Sequence, residues 1–77
     1  MRHVGQMIKA ALDRQPKART ATWLAEQLHC KRTNVYNIFN RPSVDTALLE
    51  RISRILEHDF FLDLSINLNQ EEQDEWM

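Results

Sequence analysis

Apolar residues recur at helical spacing through most of the chain. Val4, Met7, Ile8, Ala11 and Leu12 fall at i, i+3, i+4, i+7 and i+8, the stripe of a helix over about residues 3–15. Pro16 ends it, because a proline donates no N–H and disfavours helical backbone in the residue before it. Thr20 then offers a hydroxyl as N-cap, and Leu24, Ala25 and Leu28 predict a short helix over 21–28. His29-Cys30-Lys31 is the expected turn into a third helix, 32–40, which Pro42 stops. Asp45 caps a fourth, 46–57, with Leu48, Leu49, Ile52, Ile55 and Leu56 as its apolar stripe. Asp59 caps a last short helix, 60–64, and either Phe60 or Phe61 is expected to close the bottom of the core. Beyond it Leu62, Leu64, Ile66 and Leu68 alternate with Asp63, Ser65, Asn67 and Asn69. That period of two predicts an extended strand. Residues 70–77 are expected to be disordered.

The pattern predicts an all-α fold, a compact bundle of four to five short helices with a short extended C-terminal tail. A chain of 77 residues holds one domain. We place that domain at 1–64 and an acidic tail at 65–77, a candidate dimerisation strand that would pair with its copy in a second protomer, followed by a disordered end. The core expected from the stripes includes Leu24, Ala25, Leu28, Val35, Ile38, Leu49, Ile52 and Leu56. A single cysteine, Cys30, cannot form a disulfide within the chain. The net charge of −1 conceals an asymmetry. All ten Lys and Arg lie in residues 1–58 against five acids, a local +5, whereas residues 59–77 hold six acids and no base. Such a division suggests a basic working surface and an acidic tail.

The stretch Thr20-Ala-Thr-Trp-Leu-Ala-Glu-Gln-Leu-His-Cys-Lys-Arg-Thr-Asn-Val-Tyr-Asn-Ile-Phe-Asn40 resembles the Cro/CI (XRE-like) helix-turn-helix family. The resemblance rests on the Leu24-Ala25 pair, on Leu28 closing the first motif helix, and on Val35 and Ile38 anchoring the second. With Leu49-x-x-Ile52-Ser53 in the fourth helix, the arrangement looks like the small single-domain members found in Bacteroides-type bacteria. It covers about residues 4–64. It implies a lambda repressor-like DNA-binding domain whose second motif helix reads the major groove. Two positions depart from the family pattern. His29 stands where the family usually has a Gly with positive φ, a conformation for which His is among the better tolerated residues. Lys31 stands where a Ser, Thr or Asp often caps the recognition helix, so that helix either starts uncapped or starts later, at Thr33.

Helical phase picks out the outward residues. A turn of about 100° per residue, with Val35 at zero, puts Thr33 and Asn37 at roughly 160° and 200°, opposite the buried face. The recognition helix of such a motif reads base edges with its N-terminal residues. Arg32, Thr33 and Asn37 are therefore the candidate base readers. Arg matches guanine O6/N7, Asn matches adenine N6/N7, and Thr offers a hydroxyl or a methyl. Thr20, Thr22, Lys31, Asn34, Tyr36, Asn40 and Arg41 are candidates for phosphate contacts; the resemblance supports Asn40 in particular. Residues 14–41 carry six bases against Glu26 alone. Arg51 and Arg54, opposite the stripe of the fourth helix, read as solvated surface.

Other chemistries find little support. His3, His29 and His58 are scattered, His29-Cys30 lacks a second pair to complete a metal site, and Gly5 alone makes no phosphate loop. Neither an enzyme nor a cofactor nor a small-molecule ligand is expected. Apolar runs of two or three residues predict no membrane span, and no apolar run near Met1 suggests a signal peptide, so the expected location is cytoplasmic, at the nucleoid. The leading expectation is a sequence-specific transcriptional regulator, with repression the suggested mode, acting on double-stranded DNA as a homodimer. The rival is a protein-interaction module, an antitoxin or adaptor using the same bundle, with DNA binding secondary. A polar, acid-free face at Arg32, Thr33, Asn37 and Asn40 favours the first, since a partner-binding face would carry large apolar residues there.

Overall fold

The computed structural model describes the backbone of residues 3–75 and the side chains of residues 3–68. Five helices follow one another: α1 (Val4–Asp13), α2 (Ala21–Leu28), α3 (Arg32–Phe39), α4 (Thr46–Leu56) and α5 (Phe60–Glu75). Four of them start on a side chain that accepts a first-turn N–H, the groups a helix cannot satisfy internally. His3 Nδ1 accepts from Gln6 N (3.1 Å), Thr20 Oγ1 from Trp23 N (3.2 Å), Asp45 Oδ1 from Leu48 N (2.7 Å) and Asp59 Oδ1 from Leu62 N (3.0 Å). α3 is the exception. It starts at Arg32 without a side-chain cap, because the Lys31 ammonium has no lone pair to offer. Two helices end on a left-handed residue that is not glycine. His29 takes φ 57° after α2 and Glu57 takes φ 53° after α4.

The expected stripes meet in one core. Leu24, Ala25, Leu28, Val35, Ile38, Leu49, Ile52 and Leu56 are all buried, together with Val4, Met7, Ile8, Ala11, Leu12 and Phe39. Phe60, fully buried, closes the base, while Phe61 stays exposed. At its opposite end the bundle is held by a clasp between the start of α1 and the end of α3. Val4 N donates to Pro42 O and Gly5 N to Arg41 O, both at 2.9 Å. The Gln6 side chain reaches Phe39 O at 2.9 Å. The first two N–H groups of α1, which have no partner within their own helix, are thus satisfied by carbonyls of the segment just past α3. So close an approach admits only glycine at position 5. A Cβ there would collide with the carbonyl oxygens of Ile38 and Phe39 and come within 2.6 Å of that of Arg41.

The tail departs from expectation. Residues 62–69 are not an extended strand but part of α5, which runs unbroken from Phe60 to Glu75. Residues 76 and 77 lie outside the described ones. A lone strand would leave its backbone N–H and C=O groups without partners, whereas a helix satisfies them within the segment. Asp59 starts that helix, and no Gly or Pro interrupts it. The apolar positions 60, 62, 64 and 66 turn out to be two helical pairs at i, i+4, with Leu68 a further exposed residue. Phe60 and Leu64 face the bundle, and Leu62 and Ile66 face out. Beside the first pair, His58 Nε2 meets Asp63 Oδ2 at 2.5 Å and the His58 ring stands edge-on to Phe60, tying the helix start to the α4–α5 turn.

Candidate nucleic-acid interface

The turn between α2 and α3 spans His29 to Lys31 and is set by backbone hydrogen bonds. Cys30 N donates to Ala25 O at 2.9 Å and His29 N to Glu26 O at 3.2 Å, so the left-handed His29 lets the chain reverse within three residues. Val35, Ile38 and Phe39 anchor α3 in the core. The rest of α3 points outward: Arg32, Thr33, Asn34, Tyr36 and Asn37 are all exposed, as are Lys31, Asn40 and Arg41 at its ends and Thr20 and Thr22 at the start of α2.

α3 is flanked by two crevices, and both are edged by cations. The one on the α4 side has a volume of about 370 Å³ and brings together Asn34, Asn37, Arg41 and Arg51, with Cys30 and Leu48 in its wall. The one on the α1–α2 side, about 340 Å³, brings Tyr36 and Thr20 together with Lys9, Lys17 and Arg19. Lys9 is engaged by Asp13 at 3.2 Å. Arg19 stacks over Trp23 at 4.9 Å and bonds the Gln15 amide at 2.8 Å, which fixes a guanidinium beside the start of α2. Gln15 in turn donates to Leu56 O at 3.0 Å, so this edge is braced against the far side of the bundle. Tyr36 packs edge-on against Phe39 and remains 48% exposed, the one large apolar side chain that α3 offers to solvent among the described residues.

Of the ten residues singled out from the sequence, the structure gathers Asn34, Asn37 and Arg41 at one crevice and Thr20 and Tyr36 at the other. Arg32, Thr33, Lys31, Asn40 and Thr22 are exposed outside both. The Thr20 hydroxyl oxygen accepts from Trp23 N, and its proton stays available to a further acceptor. Asn34 N donates to Lys31 O at 2.9 Å, but without a side-chain cap the N–H groups of Arg32 and Thr33 are left to meet water or an anion. Sequence reasoning missed Arg51. It sits on the surface of α4, but its guanidinium reaches 3.5 Å from Leu28 O and lines the same crevice as Arg41. Only the packing of α4 against α2 reveals this. Arg54, by contrast, forms an exposed pair with Glu50 on its own helix.

No family model, curated protein or solved structure matches the chain. Among the described residues, no helix is long and apolar enough to cross a membrane, and no cluster of His, Cys, Asp and Glu forms a metal site.

Proposed function

We propose that the chain is a sequence-specific DNA-binding transcriptional regulator of the Cro/CI-like helix-turn-helix kind, with α2 and α3 as the motif and α3 as the reading helix. One observation carries this. α3 presents a polar, acid-free ridge between two crevices, each edged by guanidinium or ammonium groups. A helix in the major groove meets bases along its ridge and phosphates on both sides, which is the charge distribution this surface offers. Arg32 and Thr33 in the first turn, and Asn37 one turn on, read base edges. Arg32 is suited to guanine, Asn37 to adenine and Thr33 to the thymine methyl. Thr20, Thr22 and Tyr36 hold one phosphate strand, with Lys17 and Arg19 behind them. Lys31, Asn34, Asn40, Arg41 and Arg51 hold the other. Repression by occlusion of a promoter is the simplest consequence for a domain of this size.

The protein-interaction reading would place large apolar residues on the α3 ridge, and there only Tyr36 qualifies. Titration of the full chain into a duplex at several salt concentrations tests the reading. Binding that weakens with salt at a log–log slope of about −4 to −6 fits five or six phosphate contacts. Absence of duplex binding even at low salt contradicts it.

A further inference from the structure

We propose that the crevice between α3 and α4 binds a nucleoside monophosphate, and that the bound nucleotide competes with DNA. The crevice holds about 370 Å³, at the small end of ligand sites. Its rim is cationic and amidic: Arg41 just past α3, Arg51 on α4, and Asn34 and Asn37 three residues apart on α3. Leu28 and Ile38 give it an apolar floor, with Leu48 and Cys30 in the wall. No carboxylate lines it. The crevice on the α1–α2 side differs, because Asp13 enters it and engages Lys9 at 3.2 Å, and Arg19 lies over Trp23. On the α4 side neither guanidinium has an acidic partner among the described residues. Arg51 donates only to Leu28 O, at 3.5 Å, so most of its N–H donors remain for a ligand.

The floor selects the ligand. A DNA strand crossing beside α3 meets the rim, whose guanidiniums match phosphate oxygens in bidentate fashion. It leaves the apolar floor unused, because phosphate and sugar are polar. A ligand that fills the crevice pairs a phosphate with a compact planar body that has apolar faces and a polar edge. A nucleoside monophosphate has all three. Its phosphate dianion takes Arg41 and Arg51, and its base lies against Leu28, Ile38 and Leu48. The Asn34 and Asn37 amides, each both donor and acceptor, meet the edge of the base. Asn37 is also a proposed base reader, and Asn34, Arg41 and Arg51 are proposed phosphate contacts. Nucleotide and DNA therefore draw on the same four side chains. This competition rests on the DNA reading; the binding of nucleotide does not.

Nuclear magnetic resonance of the nitrogen-labelled full chain, without DNA, tests the site. Adenosine and guanosine monophosphates are titrated beside ribose 5-phosphate and inorganic phosphate at constant ionic strength. Saturable shifts at Cys30, Asn34, Asn37, Arg41 and Arg51 are expected, half-complete at about 0.1–1 mM for at least one nucleotide. Ribose 5-phosphate and inorganic phosphate should bind at least tenfold more weakly. Arg51→Gln should weaken the nucleotide at least tenfold with the helical circular dichroism unchanged. Shifts that do not saturate by about 10 mM, or that spread equally over the α1–α2 side, overturn the proposal. So does ribose 5-phosphate binding as well as the nucleotides, which would leave the floor unused. Competition is read from the anisotropy of a labelled duplex, whose half-saturation should move at least threefold at about 5 mM nucleotide. A duplex that binds equally well with and without nucleotide overturns the competition. A chain that binds nucleotide in the crevice but no duplex contradicts the DNA reading and leaves the nucleotide site standing.

Discussion

Lys31 and Arg32 are neighbours at the start of α3, yet the proposed reading gives them different work. Arg32→Ala should cost about 1–3 kcal/mol at a preferred site and relax selection at one base pair, whereas Lys31→Ala should weaken all duplexes alike and reduce the salt slope by about one. Fluorescence anisotropy on a preferred and a scrambled duplex separates the two. Equal loss on both duplexes for Arg32→Ala would make Arg32 a phosphate clamp. Gly5 acts on stability. Its hydrogen bond to Arg41 O and the carbonyls crowded around it leave no room for a methyl group. Gly5→Ala should therefore cost about 1–3 kcal/mol by overpacking, read as a lowered melting temperature. An unchanged melting temperature would mean that α1 is not clamped against α3. The caps at Thr20, Asp45 and Asp59 were legible in the sequence because capping is chemistry between residues three apart. The need for glycine at position 5 was not, because its neighbours lie more than thirty residues away in the chain.

At the scale of elements, α3 depends on three anchors for both its stability and its pose. Ile38→Ala should destabilise the domain by about 2–5 kcal/mol, since Ile38 is buried between α3 and the rest of the core. Thermal or urea denaturation checks this, and an unmoved midpoint would place Ile38 outside the core. The first four helices were readable because each carries a single stripe bounded by a cap, a proline or a turn. Their observed ends fall within two residues of those expected. α5 was misread because its apolar residues form two stripes, 60/64 and 62/66, on opposite sides of one helix. In sequence, two helical stripes two residues out of step look the same as strand alternation. Burial of Phe60 and Leu64 against the bundle separates the two cases. The candidate site was legible to a similar degree. The exposed residues of α3 follow from helical phase, whereas the place of Arg51 depends on how α4 crosses α2.

Over the whole molecule, a net charge of −1 divides into a basic bundle and an acidic α5. Non-specific attraction to DNA is therefore modest. On the proposed reading, affinity has to come from the local set of cations around α3, and discrimination from the few side chains on its ridge. The central claim is that this surface reads sequence, and selection from a pool of randomised duplexes tests it most directly. The full chain is incubated with the pool at moderate salt and the bound fraction is sequenced. Enrichment of a defined motif, lost or altered at one base pair with Arg32→Ala, is the predicted result. A bound fraction with the same base composition as the starting pool would contradict it.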